Sequence, residues 1–502
     1  MSMPATQLPT FFPLDKLLEG IADAPALPIL DIAVDSRAVS KGALFIATQG
    51  LTNHGLDFIE QAIANGAIAV AYNAELPKPQ RADSDITLVP VRNLESRLGE
   101  IADRFFGAPS EAVRVIGVTG TNGKTTVAWL VAECLSMLEH RCAYAGTLGY
   151  GVDELYSDSD MTSPDVVTNH RRLAGFRDRD AEYAAIEVSS HALDQHRIDG
   201  TRFRAVLFTN LSRDHLDYHG DMGAYAAAKA RLFTEYPALH RVINIDSEYG
   251  GQLAAQLGAD AMVVSMGPAV PAGHTNFVCA TSVQQTPAGS TVSVTTSVGE
   301  AQFILPIPGR FNVANALTVL GLLLAEGVCL TSACDALAMV SAPPGRMQRV
   351  PVDSGPQVYI DYAHTPDALR VALTALREHE NGELWCVFGC GGDRDAGKRP
   401  LMAQVVEELA DRIVITNDNP RSEDAGAIVA DIVSGFSARA NFTIIEDRAS
   451  AIGWAIANAK SDDALLIAGK GHEDYQIIGV ERRDFSDFKV AAANLDPQRV
   501  KA

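Results

Sequence analysis

The segment 115–135 carries the residue pattern of a phosphate-binding loop. An apolar strand, VIGVTG, runs into a glycine-rich loop and then into an amphipathic helix. Glycines let backbone N–H groups close around phosphate oxygens, and a helix N-terminus adds a favourable dipole. In such loops a lysine neutralises the β- and γ-phosphates and a hydroxyl reaches Mg²⁺. The residues that would bind ATP are Gly120, Thr121, Asn122, Gly123, Lys124, Thr125 and Thr126.

The match to the phosphate-loop consensus is imperfect. Val118 stands where GxxxxGK[ST] has its first glycine, and Gly117 lies one residue earlier. A chance Gly/Lys/Thr loop is the alternative, but the order of strand, loop and helix favours nucleotide binding. We therefore predict that this loop binds ATP.

Two further segments place metal-ligating side chains where strands are predicted to end. Glu187 ends the strand-like segment AAIEV, and Asp214 with His215 follows the apolar run AVLFTNL. Carboxylate and imidazole groups at neighbouring strand ends of a phosphate-loop sheet suit Mg²⁺. Taken singly, each residue is more simply explained as a structural or capping polar group. Together with the phosphate loop, they favour a metal site.

The tetrapeptide Asp418-Asn419-Pro420-Arg421 follows the β-branched run RIVIT in the last third of the chain. The run predicts a buried strand, and the polar residues predict the loop at its carboxyl end. Open α/β sheets bind their ligands at such loops. Arg421 would offer a planar fork to a carboxylate, while Asn419 would hydrogen-bond charged groups on a stiffened loop. For this tetrapeptide alone, a surface turn with a solvated arginine is the simpler interpretation.

The elements that must position these residues alternate between strand-like and helix-like patterns, which is typical of α/β folds. A chain of 502 residues is too long for one core, and its length favours about three domains. We expect a small mixed α/β domain over 1–93, with two strands around a turn in DIAVDSRAVSKGALFIATQG. A central domain with the phosphate loop is expected over 94–342. A third domain with a mostly parallel sheet is expected over 343–502, after the break at SAPPGRMQRV.

Composition and charge argue against several classes of protein. The formal net charge is −21 without a basic run, so we expect no nucleic-acid partner. The N-terminus lacks the regions of a secretory signal, and the longest apolar stretch, ALTVLGLLLAEGVCL, is short for a membrane span. Seven cysteines without a CxxC pair predict reduced thiols in a cytoplasm. Small anionic substrates are compatible with this charge where local cations receive them.

A series of motifs resembles those of the Mur ligases, in the family's order: GTNGKTT, EVSSH, TNLSRDHLDYHG, GRFNVANALTV, DYAHTPDAL, FGCGGDRDAGKRP and AGKGHEDYQ. The resemblance spans nearly the whole chain and is weakest in the first domain. Several motifs are shared with folylpolyglutamate synthases, whereas GGDRD with DNPR and GHEDYQ is similar to the diaminopimelate-adding Mur ligases. The resemblance implies a UDP-binding domain, a central ATPase domain and a C-terminal Rossmann-like domain.

The same resemblance implies ATP-driven amide formation in peptidoglycan precursor synthesis. The D-Glu carboxylate of UDP-N-acetylmuramoyl-L-alanyl-D-glutamate would take the γ-phosphoryl group, and the amine of meso-2,6-diaminopimelate would attack the acyl phosphate. ATP is then a co-substrate and Mg²⁺ a cofactor, because cations must screen the charge between two anions. The partners are small molecules, and we expect a monomer without membrane insertion.

Catalysis is implied to depend on Lys124, His215 and Lys229. Lys229 matches the family's carbamylated lysine, whose carboxylate joins a metal site with Thr125, Glu187 and His215. A free ammonium cannot ligate Mg²⁺, so this role requires the modification. From the sequence alone, a solvated helix lysine is the simpler interpretation of Lys229 in YAAAKARLF.

Further ATP contacts are implied outside the phosphate loop. Asn312 and Asn315, one turn apart at a predicted helix start, would contact the adenine region, and helix capping is the alternative. Arg346 and Asp361, near the start of the third domain, would meet ATP when that domain closes. A polar contact between domains is the alternative for these two residues.

Matching positions also imply the sites of the other two substrates. Core packing is an equally good interpretation of Val34, and Ser163 stands where a second threonine is more usual. The residues implied for the UDP-muramoyl dipeptide are Val34, Ser36, Leu51, Thr52, Asn53, Thr162, Ser163, Ser189, Gln195 and Arg197. Those implied for diaminopimelate are Arg394, Asp418, Asn419, Pro420, Arg421, Gly469 and Glu473. Arg421 would hold the distal carboxylate, Arg394 the other carboxylate, and Glu473 an ammonium.

Two other functions are compatible with a phosphate loop. A folylpolyglutamate-type synthetase is disfavoured by the extra N-terminal domain and by EVSSHALDQHR. A phosphate-loop regulator or motor has no use for a second sheet with GGDRD and DNPR. It would also hydrolyse ATP without either co-substrate, which separates it from a ligase by experiment.

Overall fold

The computed structural model describes residues 11–50, 53–79, 86–156, 161–268, 273–286, 289–352, 354–379 and 382–495. The chain divides into two compact units, residues 1–263 and 264–502. Among the helices of the described ranges, none is both long enough and apolar enough to cross a membrane.

The predicted alternation of strands and helices runs through the first unit. Its strands are β1 (Phe12–Pro13), β2 (Pro28–Ile29), β3 (Asp31–Ala33), β4 (Ala43–Ala47), β5 (Ala67–Asn73), β6 (Thr87–Val91), β7 (Arg114–Thr119), β8 (Cys142–Gly146), β9 (Gly149–Gly151), β10 (Tyr183–Glu187), β11 (Phe203–Phe208) and β12 (Ala238–Asn244), and β13 (Met262–Ser265) crosses the boundary. Its helices are α1 (Leu14–Leu17), α2 (Ile59–Ala64), α3 (Leu94–Phe105), α4 (Pro109–Ala112), α5 (Lys124–Met137), α6 (Val166–Arg177), α7 (Ser190–Asp194), α8 (Leu216–His219), α9 (Met222–Thr234) and α10 (Glu248–Leu257).

A small four-stranded sheet of order β3-β4-β5-β6 occupies the start of the first unit. All of its strand pairs are parallel. The two strands expected over 31–50 are therefore present as β3 and β4, but the chain between them crosses over rather than turning back. That connection contains a 3₁₀ helix, Ser36–Ala38, whose first turn is capped by the Asp35 carboxylate accepting from Arg37 N.

The large sheet of the first unit is built on five parallel strands in the order β12-β11-β7-β10-β8. β7 is buried at five of its six residues, as expected for a central strand covered on both faces. In the register of this sheet Glu187 pairs with Val118, and Phe208 pairs with Thr119. The loops that follow β7, β10 and β11 therefore leave the sheet at one edge, where open α/β sheets bind ligands.

The second unit begins with three consecutive antiparallel strands, and strands then alternate with helices over most of its length. Its strands are β14 (Phe277–Thr286), β15 (Gly289–Thr296), β16 (Gly299–Leu305), β17 (Gln348–Val350), β18 (Gln357–Asp361), β19 (Leu384–Phe388), β20 (Arg412–Ile415), β21 (Phe442–Ile444), β22 (Ala464–Ala468), β23 (Tyr475–Ile478) and β24 (Glu481–Asp484). Its helices are α11 (Arg310–Ala325), α12 (Leu330–Met339), α13 (Pro366–His379), α14 (Lys398–Leu409), α15 (Ala425–Val433), α16 (Arg448–Asn458) and α17 (Asp487–Leu495).

The main sheet of the second unit has the order β17-β18-β22-β19-β20-β21. Its strand pairs are parallel except for β17 with β18. β19 and β22 are buried at every residue, and separate apolar cores that include α13, α14 and α15 or α16 and α17 cover the sheet. The loops after β19, β20 and β22 leave the sheet at one edge and carry GGDRD, DNPR and AGKGHE.

Candidate active site

The phosphate loop has the backbone geometry of an anion cradle. Gly120 and Gly123 adopt φ values of 150° and 85°, and a β-carbon at Gly120 would lie 1.9 Å from Thr209 Oγ1. α5 begins at Lys124, so the unpaired N–H groups of its first turn face the loop. Lys124 Nζ donates to the carbonyl oxygens of Gly120 and Thr121 at 3.0 and 2.9 Å. The loop thus presents backbone donors and an ammonium to an incoming phosphate.

The segment after β11 holds the loop in shape. Thr121 N donates to Asn210 O at 2.9 Å, and Asn122 N donates to Asn210 Oδ1 at 3.0 Å. Thr209 Oγ1 donates to Asn122 O at 2.6 Å, and Ser212 N donates to Thr121 Oγ1 at 3.0 Å. The conformation of the glycine-rich motif is therefore supported by residues far from it in the sequence.

Glu187 is held at the end of β10 by several donors. Its carboxylate accepts from Thr125 Oγ1 at 3.0 Å, from Tyr144 OH at 2.6 Å and from Thr147 N at 2.9 Å. Thr126, the next predicted ATP-binding residue, is buried in the first turn of α5. Two of the predicted metal ligands, Thr125 and Glu187, are thus in contact. Sequence reasoning missed Tyr144 and Thr147 as the residues that orient the carboxylate, because GTLGY carries no chemical signature.

Lys229 is a buried residue of α9. Its side chain is 1% exposed, and Nζ donates to Gly120 O at 2.7 Å and lies 4.6 Å from the centre of the Tyr225 ring. Burial, followed by the nearby charge of Lys124, lowers the pKa of Lys229 well below its ordinary value. A neutral amine is the form that adds carbon dioxide, so this environment suits carbamylation. The interpretation of Lys229 as a solvated helix lysine is wrong.

His215 does not lie at a strand end, contrary to expectation. β11 ends at Phe208, and His215 is the N-cap of α8 in the left-handed conformation, with φ 51°. The residues between them include those that support the phosphate loop. The His215 ring lies 6.0 Å from the Tyr225 ring and 5.0 Å from the His191 ring, measured between ring centres. His215 and Lys229 thus both lie beside the Tyr225 ring.

In the described ranges, no three His, Cys, Asp or Glu side chains lie close enough together to hold a metal ion. The predicted set contains two residues of these types, Glu187 and His215. Its other two ligands would be the hydroxyl of Thr125 and the carbamate of Lys229. A buried carboxylate in contact with a hydroxyl suits a hard cation that prefers oxygen ligands. These residues fit Mg²⁺, and its binding here stays a prediction.

Residues predicted to bind the muramoyl peptide surround the end of β10. Ser163 Oγ donates to Glu187 O at 2.9 Å and accepts from Ser189 N at 3.1 Å. Thr162 Oγ1 lies 3.2 Å from Thr147 Oγ1, which also reaches the Glu187 carboxylate. The hydroxyl of Ser163 therefore ties the predicted peptide site to the strand that carries the predicted metal ligand.

Arg197 and Gln195 complete this cluster. Arg197 Nη1 donates to Ser163 O at 3.0 Å, and Nε donates to Gln195 Oε1 at 3.0 Å. Gln195 Nε2 donates to Tyr218 OH at 2.9 Å. The structure thus brings Thr162, Ser163, Ser189, Gln195 and Arg197 together.

The predicted uridine site lies on the small sheet of the first unit. Val34 is half-buried against the core of that sheet, in agreement with the core-packing interpretation. Ser36 Oγ donates to Gln61 Oε1 at 2.7 Å. Asn53 O accepts from Gly50 N at 2.9 Å. Leu51 and Thr52, also predicted for this site, lie outside the described residues.

In the second unit, Asn312 and Asn315 are buried in the first turns of α11. Asn312 Nδ2 donates to Pro308 O at 2.7 Å, and Asn315 Nδ2 donates to Asn312 Oδ1 at 3.3 Å. The N-cap of α11 is Gly309, which offers no side chain to the free N–H groups. The capping interpretation is therefore wrong, because the two amides bond to a carbonyl and to each other.

Arg346 and Asp361 lie around the end of β18. The guanidinium of Arg346 is 4.6 Å from the centre of the Tyr362 ring. Asp361 Oδ2 accepts from Met347 N and Oδ1 accepts from Ala363 N, both at 2.8 Å. Burial raises the pKa of Asp361, and the charge of Arg346 partly offsets this. The two predicted ATP-binding residues are thus electrostatically coupled.

Two arginines flank a glycine in the loop after β19. A β-carbon at Gly391 would lie 2.9 Å from Arg421 Nη1 and 3.8 Å from Arg394 Cγ. Arg421 adopts φ 52°, and its Nη1 donates to Gly392 O at 2.8 Å. In the part of the chain that the structure describes, Nε and Nη2 of Arg421 donate to no protein group. Two donor nitrogens of Arg421 are therefore available to a carboxylate.

Asn419 and Glu473 belong to a buried network that contains Lys470. Lys470 Nζ, fully buried, donates to Asn419 Oδ1 and Glu473 Oε2 at 3.0 Å each. Asn419 Nδ2 donates to Glu473 Oε2 at 2.8 Å, and Ile477 N donates to Asn419 Oδ1 at 2.9 Å. Because Asn419 is 1% exposed, the surface-turn interpretation of DNPR is wrong. Lys470 was missed, although its motif, AGKGHE, was recognised.

Asp418 and Gly469 show how closely two of these loops approach. A β-carbon at Gly469, which has φ 113°, would lie 2.6 Å from Asp418 Oδ2. Gln476 Nε2 donates to Asp418 O at 2.7 Å. Pro420 approaches the first loop in the same way, since its carbonyl oxygen would lie 1.9 Å from a β-carbon at Gly392. All seven residues predicted for diaminopimelate therefore lie in three loops at one edge of the sheet.

Comparison with known proteins places this arrangement in a family. Residues 29–106 match the model for the Mur ligase family catalytic domain, 118–323 the Mur ligase middle domain, and 345–471 the Mur ligase glutamate ligase domain. A UDP-N-acetylmuramoyl-L-alanyl-D-glutamate–2,6-diaminopimelate ligase from Ectopseudomonas mendocina (strain ymp) is 46% identical over 478 residues, which are 95% of this chain and 96% of that protein. The chain belongs to the Mur ligase family.

Other Mur ligases agree with this assignment. A protein of the same name from Haemophilus influenzae (strain PittGG) is 44% identical over 95% of this chain and 99% of its own. A solved structure of a ligase of that name superimposes with a TM-score of 0.70 at 33% identity, covering 97% of this chain and 99% of that one. The predicted family and three-domain α/β fold class are confirmed. The boundaries 1–93, 94–342 and 343–502 stay predictions.

Proposed function

We propose that this Mur ligase joins meso-2,6-diaminopimelate to the D-Glu carboxylate of UDP-N-acetylmuramoyl-L-alanyl-D-glutamate, with cleavage of ATP, in peptidoglycan precursor synthesis. Relatives named for this reaction are 44–46% identical over nearly the whole chain. The observation that carries the choice of amino acid is the loop cluster of the second unit. There, Arg394 and Arg421 flank Gly391, and Glu473 is held by Lys470 and Asn419.

Acyl phosphate formation requires two anions to approach each other. Lys124 would neutralise the γ-phosphate, and the backbone donors of the phosphate loop would hold the other phosphate oxygens. Ser163, Ser189 and Arg197 would orient the peptide so that its D-Glu carboxylate meets the γ-phosphorus. Bound to Thr125, Glu187, His215 and carbamylated Lys229, Mg²⁺ would screen the charge between the reacting oxygens.

Amide formation then requires the amine of diaminopimelate to be neutral and aimed at the acyl carbon. Attack by its nitrogen would form the C–N bond and expel inorganic phosphate, while the amine loses a proton. At the far end of the amino acid, the two unpaired nitrogens of Arg421 would bind the distal carboxylate. Glu473 Oε1, to which no group of the described residues donates, would accept from the distal ammonium.

This arrangement selects diaminopimelate over lysine by charge. Lysine ends in an ammonium without a carboxylate, so its binding would leave Nε and Nη2 of the half-buried Arg421 without the carboxylate that they are proposed to bind. A desolvated charge without its partner costs several kcal/mol.

The test measures phosphate release from ATP with the UDP-muramoyl dipeptide, alone and with each amino acid. We expect release to depend on both co-substrates, and kcat/KM for meso-diaminopimelate to exceed that for L-lysine at least about a hundredfold. Equal use of L-lysine would contradict the amino acid assignment. Release that needs neither co-substrate would point to a phosphate-loop hydrolase instead.

We also propose a cytoplasmic location for the reaction. The seven cysteines are free, and six of them are buried. Burial raises the pKa of the Cys142 thiol to about 12, which keeps it protonated and unreactive. This cysteine usage suits a reducing compartment, where ATP is also available.

A further inference from the structure

A buried ion pair joins two loops of the amino-acid site to the last helix. Arg448 and Asp487, the first residues of α16 and α17, form two hydrogen bonds of 2.7 and 2.8 Å, and both side chains are fully buried. The same guanidinium donates from Nη2 to Ala468 O at 2.8 Å and from Nη1 to Asn417 O at 3.4 Å. One planar group therefore contacts the loop after β20 and the end of β22 at once.

The two carbonyl groups belong to positions where small shifts matter. Asn417 and Ala468 directly precede Asp418 and Gly469. These last two residues approach so closely that a β-carbon at Gly469 would collide with Asp418 Oδ2 at 2.6 Å. Arg448 thus hydrogen-bonds to two loops that lie too close together to admit even a β-carbon at Gly469. Each loop continues into residues predicted to bind diaminopimelate.

Stability alone is a poor explanation for this pair. Removing two charges from water costs several kcal/mol for each ion, and an apolar pair of similar volume is often equally stable or more so. The carbonyl contacts are the part of the arrangement that an apolar pair cannot reproduce. Arg is also the side chain whose fixed fork can satisfy a carboxylate and backbone carbonyls together.

We propose that the Arg448–Asp487 pair positions the amino-acid site, so that the loops carrying DNPR and AGKGHE keep the spacing that diaminopimelate requires. This inference rests on the proposed function. Arg448 touches Asn417 and Ala468 rather than any residue predicted to contact the substrate, so it is a positioning residue. Misplacement of binding groups by about 1 Å is enough to cost up to about a hundredfold in rate.

The test separates positioning from folding with a paired replacement. In the double variant Arg448→Met/Asp487→Leu, the buried charges are gone and the volume is roughly kept, so we expect a folded protein with a thermal midpoint near that of the wild type. KM for meso-diaminopimelate should rise about tenfold or more, with KM for ATP and for the UDP-muramoyl dipeptide within about twofold. A second variant, Arg448→Lys, keeps the charge but loses the fork, and should raise the same KM.

The matched control is Asp463→Asn at the opposite edge of the same sheet. Asp463 is also a buried carboxylate, and it accepts from Glu383 N at 3.0 Å and Trp385 Nε1 at 3.1 Å. Its replacement should lower the thermal midpoint without changing KM for diaminopimelate.

Three outcomes would overturn the positioning role: an unchanged KM in folded Arg448 variants, an equal rise in all three KM values, or the same KM rise in the control. If the wild type does not use meso-diaminopimelate, the proposed function fails instead, and the two failures are distinguishable.

Discussion

The phosphate loop of the first unit and the predicted amino-acid site of the second unit offer charged and polar groups to their ligands in different ways. The phosphate loop is one contiguous run, 120–126, whose donors are mostly backbone N–H groups shaped by glycines. The amino-acid site is assembled from three loops, and its charged groups are the side chains of Arg394, Arg421, Lys470 and Glu473. Backbone recognition suits a ligand part common to many enzymes, whereas side-chain recognition suits a part that must be told apart from close analogues.

The two sites also differ in the surroundings of a buried lysine. Among the described residues, Lys229, beside the phosphate loop, donates to a backbone carbonyl and to no carboxylate, and burial lowers its pKa. Lys470, equally buried, donates to the carboxylate of Glu473. One buried lysine thus donates to a backbone carbonyl and is predicted to react as an amine, while the other donates to a carboxylate. Similar burial therefore supports opposite roles, and the neighbouring groups decide which.

The largest expected effect is at the phosphate loop. Lys124→Ala removes the ammonium that compensates γ-phosphate charge, so kcat should fall about a thousandfold or more with every amino acid. Steady-state phosphate release measures this, with Lys16→Ala, an exposed lysine, as the control. Near-normal turnover of a folded Lys124→Ala protein would contradict the prediction that this loop binds the phosphates of ATP.

Lys229 tests whether its neutral amine becomes a ligand. Lys229→Ala should lose several hundredfold in kcat and recover partly with acetate or formate, which can replace the carbamate oxygens. Lys229→Arg should stay inactive with or without these acids, because its guanidinium keeps its charge and cannot become a metal ligand. An active Arg variant, or the absence of any recovery in the Ala variant, would show that carbamylation is not its role.

A more selective effect is expected at Arg421. Arg421→Ala should lower kcat/KM for meso-diaminopimelate about a hundredfold while leaving KM for ATP nearly unchanged. The control is Arg412→Ala, whose guanidinium forms an exposed pair with Glu383 on the same sheet. Amino-acid titrations at saturating ATP give the comparison. An equal loss of ATP affinity would mean that ATP and diaminopimelate are not bound independently.

The smallest effect concerns stability. Burial, followed by the charge of Arg346, lowers the pKa of His472 from 6.5 to about 4. Below pH 6.5, His472 binds a proton in the unfolded chain but not in the folded protein. The free energy of unfolding therefore falls as the pH drops toward 4. His472→Gln should remove about 2 kcal/mol of the loss in unfolding free energy between pH 7 and pH 5. Urea unfolding at both pH values checks this, and identical pH slopes in variant and wild type would contradict it.

The fold, and the grouping of residues in each predicted site, could be inferred because their signals are local. A buried strand, a glycine-rich turn and a helix start lie within the segment 115–135, and the run before Asp418 predicts a strand with a ligand loop at its end. Such patterns depend on nearest neighbours along the chain. Where an expectation was wrong, the sequence around the residue carried no local signal. His215 was placed at a strand end because the extended loop that supports the phosphate loop has no signature of its own.

By itself, the sequence determined the α/β architecture and the motifs that follow each strand, since hydrophobic periodicity and turn residues act over short distances. The family followed from the resemblance of those motifs to the Mur ligases. The tertiary structure alone decided that Lys229 is buried against Gly120, that Lys470 holds Asn419 and Glu473, and that Arg448 contacts two loops at once. These facts depend on desolvation and on contacts between distant segments. Neither is encoded at a single position, because each arises only when packing brings separate strands to the same edge.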